Sequence, residues 1–527
     1  MRTLPFRALR ATGVILALCV QCSPAQDTQT KVTEAQRKRV AVTLNYCRAS
    51  LSRIRRYPSK RVLIEEQERI LNNLDLNAIR DEEVINLYSA VLDEINQAQI
   101  LETERRVINE RTRRNMQRKL GADLFVIGAH VATGQLGNAI QSGANSWWDY
   151  RNTTIDRDSQ AWAIERTRIN GIVDRSSRFL DAAWKLSRRN EIPDQWLVRT
   201  ADLVALQKTM REPNQEVRLR VLKRMARFMQ CYPPYWYYVA RTEQQLGRLK
   251  DAARTYRRLA ELGDGHFRKD DMLAAGTANL AMIEEYLGDT SARRTAEKAL
   301  EYSTDSWEVN LTCAWVLNRH SEHTSAEDAI LRNLDVDLEQ NQSSIALVSL
   351  YYHTKNEQKL AKILENKAIV ARVPIPGLLL AATLLESDRF PTPARHRIAS
   401  SLRATTETRF GREAVVLRTT PDWKLADARI AMVSGEKNIP APRVHSSPRG
   451  IEIRFPLTKS VQEQDYVVKL NYPQTPEIQL QFAAGKPRSR SALGIDLGSS
   501  SPTAHKLASV SVGKKRLSMV TPANVRQ

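Results

Sequence analysis

Residues 236–259 read WYYVARTEQQLGRLKDAARTYRRL, and they carry the clearest structural pattern in the chain. Ala240 and Ala252 are small residues twelve positions apart, with Leu246-Gly247 between them. Two antiparallel helices approach closely where both carry small side chains, and a glycine just past the last turn commonly ends a helix. A spacing of twelve positions leaves room for one short turn. The stretch therefore predicts an αα-hairpin.

The same spacing recurs along residues 197–404. The first small residues follow one another at intervals of 41, 33, 35 and 33 positions, and the second lies eleven or twelve positions later. The pairs are Ala240 with Ala252, Ala281 with Ala292, Ala314 with Ala326, Ser349 with Ala361, and Ala382 with Ala394. Hairpins repeated at such a period stack and bury one continuous core. The sequence therefore predicts an α-solenoid, and an alanine-rich helix bundle is the alternative.

With Trp236, Gly247 and Tyr256 added to the small pair, the first copy resembles the tetratricopeptide repeat family. Later copies keep the small pair and lose the aromatic residue and the closing proline, so other αα-solenoids stay open. The resemblance implies a non-enzymatic scaffold that holds a protein or peptide in a groove lined by the first helix of each pair.

The resemblance also implies which residues line that groove, at fixed distances from the first small residue of each copy. The positions so placed are Tyr237, Arg241, Gln244, Met282, Glu285, Trp315, Asn318, Leu350 and His353. Tyrosine, tryptophan and arginine concentrate binding energy at protein interfaces. Packing between repeats is the alternative role for each of them. The Lys/Asn set with which the family clamps a peptide carboxylate does not recur here.

The first 25 residues have the features of a secretory signal peptide. Three arginines accompany a ten-residue apolar run from Ala11 to Val20, and Ser23-Pro24-Ala25 supplies small residues before a cut at Gln26. The run is too short to span a bilayer. Lipidation at Cys19 or Cys22 is the weaker alternative. We expect an exported protein, periplasmic or extracellular, with no transmembrane helix in the mature chain.

Residues 26–120 predict a charged helical hairpin with coiled-coil character. Residues 35–64 contain nine basic side chains and no acid, whereas residues 65–94 contain nine acids and two arginines. A basic and an acidic arm that face each other account for these blocks. An anion-binding surface is the alternative.

Residues 121–196 predict further helix, and glycine and alanine are frequent within 121–148. Small residues together with Trp147-Trp148 are compatible with a hairpin that touches a membrane. Polar side chains such as Asp123 and His130 argue against an unaided span. Close helix packing inside a soluble domain is the favoured interpretation.

Residues 405–485 predict a small β-strand domain, because short alternating apolar runs replace the helical period. The runs are Val415–Leu417, Arg429–Val433, Ile451–Phe455, Tyr466–Leu470 and Ile478–Phe482. Residues 486–527 are rich in serine and glycine and carry eight basic side chains and one acid. This composition predicts a basic disordered tail.

Charge, cysteines and motifs limit the function. Of a formal net charge of +21, the tail carries the largest share and the repeats little, which argues against specific nucleic-acid recognition. Past residue 25 only Cys47, Cys231 and Cys313 remain. No catalytic motif, metal-ligand set or cofactor loop stands out. We therefore expect no enzyme, cofactor or metal. A peripheral protein that binds a membrane or anionic polymer through the tail and 121–148 is the alternative function.

Overall fold

The computed structural model describes residues 33–57, 81–97, 166–266 and 269–409 (without 304 and 337), isolated positions from 59 to 66, most of 412–456, and 466–472, 476–483 and 503–519. The predicted mainly helical chain with a small C-terminal β unit is confirmed. Within these residues the helices are α1 Glu34–Arg56, α2 Glu82–Gln97, α3 Arg166–Arg189, α4 Thr200–Met210, α5 Gln215–Met225, α6 Pro233–Gln245, α7 Leu249–Gly263, α8 Asp271–Leu287, α9 Ala292–Tyr302, α10 Trp307–Arg319, α11 His323–Asp335, α12 Gln340–His353, α13 Glu357–Leu364, α14 Lys367–Val370, α15 Ile375–Leu384 and α16 Thr392–Ser400.

Helices α6 to α13 form four consecutive pairs that share one kind of turn. The residue after each first helix, or one further on, has a left-handed backbone, with φ of 72° at Gly247, 74° at Gly288, 62° at Ser321 and 53° at Lys355. The next amide N–H then donates back to the carbonyl five residues earlier, as in a Schellman motif. These bonds are Arg248 to Glu243, Asp289 to Glu284, Glu322 to Leu317 and Asn356 to Tyr351. The repetition in the sequence is therefore a repetition of local geometry.

The turn geometry corrects the spacing in the fourth pair. In the first three pairs the left-handed residue lies seven positions after a buried alanine, at Ala240, Ala281 and Ala314. Seven positions before Lys355 is Val348, which is buried, whereas Ser349 is exposed. Twelve positions after Val348 lies the fully buried Leu360. The predicted pair of Ser349 with Ala361 is thus one residue out of register, because two larger apolar side chains fill this interface.

Helix α1 is fixed to the start of the helical stack by one buried amide. Asn45 Nδ2 donates to the carbonyls of Trp196 (2.7 Å) and Cys231 (2.9 Å), and its Oδ1 accepts from the amide N–H of Val198 (2.8 Å). The segments before and after α4–α5 therefore share one side-chain clamp on α1.

The described part of residues 26–120 differs from a simple two-helix hairpin. The acidic helix α2 packs on α3, where the rings of Tyr88 and Phe179 lie 5.3 Å apart. In the basic helix α1, Arg53 pairs with Glu65 at 2.7 Å and with the buried Glu66. Of the described acids in the predicted acidic arm, those that face the basic helix α1 are thus Glu65 and Glu66, which follow α1 closely in the sequence, and not those of α2. The apolar face of α2 is taken up by α3.

The C-terminal unit is one antiparallel sheet. Its strands are β1 Leu402–Arg409, β2 Arg412–Thr419, β3 Arg429–Ser434, β4 Lys437–Ile439, β5 Val444–Ser447, β6 Gly450–Pro456, β7 Tyr466–Asn471, β8 Ile478–Ala483, β9 Thr503–Val512 and β10 Lys515–Ser518. The order is β4-β3-β7-β8-β9-β1-β2-β6-β5, and β10 pairs with β9. The two edge strands are joined by residues 440–443, which span at most about 18 Å. The sheet therefore curls toward a barrel.

All five predicted strands are present, and the tail prediction needs correction. Residues 503–518 form β9 and β10, and β9 lies between β8 and β1 in the middle of the sheet. Val510 and Leu517 bury their side chains there. Composition predicts disorder because the segment is polar overall, but β9 pairs its backbone with β8 and β1 and buries its alternate apolar side chains.

The β unit is attached to the last helix pair. Arg395 Nη1 on α16 donates to the carbonyl of Ser518 at 2.7 Å, and Lys515 Nζ donates to the carbonyl of Leu384 at 3.2 Å. Arg397 also pairs with Asp422. The strands are thus docked on the helical stack by side chains that belong to both units.

Two sequence predictions fall outside the described residues, namely the signal peptide 1–25 and the small-residue-rich segment 121–148. None of the helices within the described residues combines the length and the hydropathy that a membrane span requires. Cys47, Cys231 and Cys313 are buried free thiols.

Candidate functional site

Five of the nine predicted groove residues have buried side chains. They are Tyr237, Arg241, Gln244, Met282 and Leu350. Tyr237 packs its ring against Tyr238 and Tyr256, at centroid distances of 5.7 and 6.4 Å. These five side chains contribute mainly to packing within the helical stack, which is the alternative role considered for them.

The burial of Gln244 has a specific cause. The hydroxyl of Tyr256, on the second helix of the same pair, donates to Gln244 Oε1 at 2.7 Å. Both side chains lie in the interior. A phenol facing the first helix therefore draws the glutamine inward, away from the surface that the resemblance implied for it.

The other four predicted residues keep accessible atoms. Trp315, Glu285 and Asn318 are half-buried, and His353 is exposed. All four lie in the C-terminal halves of the first helices α8, α10 and α12. Each of the second to fourth pairs thus keeps at least one predicted residue accessible, whereas all three of the first pair are buried.

Neighbouring side chains complete a continuous surface around these four. Arg319 contacts the carboxylate of Glu285 on the preceding pair, and its guanidinium carbon lies 5.5 Å from the ring centroid of Trp315. Tyr286 follows Glu285 and is 48% exposed. We call this the inner-row surface, and it comprises Glu285, Tyr286, Trp315, Asn318, Arg319, Tyr352 and His353.

The fourth pair contributes Tyr352 and His353 to the inner-row surface. Their rings lie 5.5 Å apart in an edge-to-face arrangement, and the Thr383 hydroxyl lies 3.4 Å from the Tyr352 hydroxyl. Once the register is corrected, Tyr352 rather than His353 corresponds to Asn318 of the third pair. Tyr352, Tyr286 and Arg319 are not among the residues that the sequence predicts for this surface. A sequence signal exists for Tyr352 and Tyr286. Each lies shortly before a turn, and aligning the copies on their turns, beginning with Gly247 and Gly288, would have identified both.

The two histidines of the His320–His323 segment have separate neighbours. His320 Nε2 lies 2.8 Å from Glu285 Oε2, and His323 Nδ1 lies 3.0 Å from Asn318 Oδ1. Ser321, between them, is the left-handed turn residue. The turn therefore fixes each imidazole against a different first helix, and both extend the polar edge of the inner-row surface.

The thiols are poorly suited to nucleophilic chemistry. Burial raises the pKa of Cys47 to about 12 and that of Cys231 to about 12, and it also raises the pKa of Cys313. The thiolate is the reactive form, so these groups are protonated at neutral pH. Among the described residues, no three His, Cys, Asp or Glu side chains gather in a way that would hold a metal ion.

No protein-family model matches this chain. A search of the curated proteins finds no significant match. The function is therefore inferred from the residues and their geometry.

Proposed function

We propose that this protein is an exported, non-enzymatic scaffold that binds another protein on its inner-row surface. The observation that carries the proposal is the arrangement of Tyr286, Trp315 and Arg319, which come from two adjacent pairs and remain accessible. The recurring pair and its left-handed turn support a tetratricopeptide-like solenoid, an architecture that uses extended surfaces for binding.

The composition of this surface favours a protein partner. Tyrosine, tryptophan and arginine dominate the residues whose truncation weakens protein interfaces. Trp315 is half-buried and is held under the Arg319 guanidinium, so little side-chain freedom is lost on binding. The Glu285–Arg319 contact holds the second and third pairs in one orientation. A partner would thus meet a rigid aromatic and cationic strip.

The test is affinity capture of secreted or envelope proteins with the mature chain, residues 26–527. A double variant, Trp315→Ala with Arg319→Ala, should lose the captured partner. Each such truncation at a binding hot spot costs about 2 kcal/mol, so the double change should weaken affinity at least tenfold. Binding of the identified partner is then measured in purified form for both proteins.

The chain offers a matched control for this test. Trp184 and Arg188 on α3 repeat the same four-residue spacing, with the guanidinium carbon 4.6 Å from the ring centroid, and Trp184 is exposed. Trp184→Ala with Arg188→Ala should leave binding unchanged. If both double variants lose the partner equally, or if neither does, the inner-row assignment is wrong.

Binding to an anionic surface is a second candidate, and one observation favours it. Lys506 and Lys514 are exposed on the hairpin of β9 and β10, so part of the basic tail is held on the sheet. Lys515 and Arg516 lie beside them, with hydrogen bonds to the protein. Vesicles containing anionic lipid should bind the chain, and raising the salt concentration should weaken this binding steeply. Lys506→Gln with Lys514→Gln should reduce it.

A further inference from the structure

A crevice lies between α1 and the first helix pair, apart from the inner-row surface. Its volume is about 360 Å³, and its lining comes from α1, the segment before α6, and the end of α7. The charged residues of its lining are Lys38, Arg39, Arg258, Glu261 and Asp264. Sites for small molecules commonly have volumes of this order.

Three cations line the crevice, and two of them lie over indole rings. The Arg258 guanidinium carbon is 3.7 Å from the ring centroid of Trp236, and Lys38 Nζ is 5.4 Å from that of Trp196. Cation–π contacts of this kind restrain a long side chain without neutralising its charge. Lys38 and Arg258 therefore approach the crevice from opposite walls in restrained positions.

The acids that line the crevice do not cancel these charges. Asp264 Oδ1 lies 3.5 Å from Lys298 Nζ, outside the crevice, and Lys38 pairs with Glu34 at 2.7 Å. No carboxylate of the described residues lies within ion-pair distance of Arg39 or Arg258. Glu261, three positions after Arg258 on α7, is the remaining acid of the lining. Two guanidinium groups thus stay available for an anion.

The back of the crevice is fixed by buried side chains. His266 is buried, and its Nδ1 lies 3.4 Å from Thr43 Oγ1 on α1. The thiol of Cys231 is also buried there. Because Asn45 binds the Cys231 carbonyl, the two walls are held at a set separation. The guanidinium groups are therefore presented by a preformed cleft rather than by two mobile helices.

We propose that this crevice binds a small molecule through an anionic group, phosphate or carboxylate, held by Arg39 and Arg258 with Lys38 beside them. Guanidinium groups donate paired hydrogen bonds to both kinds of anion. Val42 and Leu262 supply an apolar wall for the rest of the ligand. The site lies on another part of the molecule from the inner-row surface, so it does not depend on protein binding there.

The test is isothermal titration of the mature chain with sodium pyrophosphate and, separately, with sodium citrate at constant ionic strength. Saturable binding of either probe is expected, and the probe that binds identifies phosphate or carboxylate as the source. Arg39→Gln and Arg258→Gln should each weaken that binding about tenfold, the loss typical of one charge-assisted hydrogen bond. Glu261→Gln should strengthen it, because it removes the repelling carboxylate.

Two charge-matched variants control for loss of net charge. Arg55→Gln changes an exposed arginine further along α1, and Arg294→Gln changes an exposed arginine on the second pair. Both should bind as the unchanged protein does. Circular dichroism and thermal melting verify folding, and Arg258→Lys, which keeps the charge and loses the fork, should show an intermediate loss.

The alternative results overturn the proposal. Absence of saturable binding by both probes at millimolar concentration would show that the crevice takes neither anion. Equal losses in the crevice and control variants would show that only the overall charge matters. Tighter binding in Arg258→Gln than in Glu261→Gln would show that Arg258 does not hold the anion.

Discussion

The first and third helix pairs share the same spacing of small residues, yet they differ in which side chains reach the surface. In the first pair Gln244 is buried against the Tyr256 hydroxyl. In the third pair Asn318 occupies the corresponding position and keeps accessible atoms, because Ile330 stands where Tyr256 does and has no hydrogen-bonding group. The small residues set how closely two helices approach. The side chains between them decide whether the first helix presents a binding surface.

The interior of the two pairs differs in the same sense. In the first pair the buried Glu243 accepts from the Thr255 hydroxyl at 2.7 Å, and in the third pair Leu317 fills the equivalent place. At these positions the first pair has an interior hydrogen bond, whereas the third has apolar contact. The two helices of the third pair are joined elsewhere, where Asn310 Nδ2 donates to Asn333 Oδ1 at 2.7 Å. Four changes test this comparison.

Asn45→Leu should have the largest effect, because the first pair lies beside α1 and Asn45 joins them. The change leaves the amide of Val198 and the carbonyls of Trp196 and Cys231 without their partner. Buried polar groups left in this way cost about 1–3 kcal/mol each, so unfolding free energy should fall by about 4 kcal/mol. Urea unfolding followed by circular dichroism measures this.

A second asparagine provides the reference for that measurement. Asn190 is half-buried and donates only to the carbonyl of Leu186, at 3.1 Å. Asn190→Leu should cost no more than about 1 kcal/mol. Similar losses for the two changes would show that Asn45 does not join α1 to the stack as the geometry indicates.

Leu360→Ala tests the corrected register of the fourth pair. Leu360 is fully buried opposite Val348, so truncation should leave a cavity and cost about 3 kcal/mol. Ser349→Leu adds a side chain at an exposed position and should change stability by less than about 0.5 kcal/mol. If Ser349→Leu lowered the free energy of unfolding more than Leu360→Ala, Ser349 and Ala361 would be the residues at the interface of the fourth pair, and the corrected register would be wrong.

Tyr256→Phe tests whether the hydroxyl of Tyr256 stabilises the first pair by holding Gln244 in the interior. Loss of the hydroxyl leaves Gln244 Oε1 without its donor and should cost about 1 kcal/mol. Tyr286→Phe removes a hydroxyl from a side chain that is 48% exposed, and it should cost almost nothing. Thermal unfolding of both variants gives the comparison. Equal stability of the two would mean that the interior bond does not hold the first pair.

Much of the helical region could be predicted from sequence, because its signal is local. A small pair twelve positions apart and a glycine after Leu246 or Leu287 determine two helices and a turn. The pattern misplaces the fourth pair by one residue, because Val348 and Leu360 are not small and the adjacent Ser349 and Ala361 are. Which side chains of the first helices are accessible could not be predicted in this way, because it depends on the residues they contact in the second helices. For Gln244 the sequence does contain a signal, because the Tyr256 hydroxyl on the second helix can donate to it and hold it in the interior.

The β unit was less predictable from the sequence, because its pairing depends on strands that are far apart in the chain. Its five apolar strands were found by alternation, but β9 is polar over much of its length and was missed. Its place between β8 and β1 depends on pairing with strands distant in the sequence, which composition does not reveal. Likewise, the crevice joins Arg39 to Arg258 across more than two hundred positions. Sites of that kind follow only from the folded chain.

Glu243→Gln should have the smallest effect and the most specific one, a change in pH dependence. Burial raises the pKa of Glu243 above its ordinary value of 4.5, although Thr255 and Lys223 oppose this. A carboxyl with a raised folded pKa favours the folded state most at low pH, and this contribution is lost as pH rises through the folded pKa. Glutamine stays neutral and keeps an acceptor for Thr255. The variant should therefore gain stability relative to the unchanged protein between pH 4 and pH 7, and Glu386→Gln, at an exposed acid, should not. If Glu243→Gln instead lost stability relative to the unchanged protein over that range, the carboxylate would be stabilised by Lys223 more than it is disfavoured by burial. The contrast between Glu243 in the first pair and Leu317 in the third would then not hold.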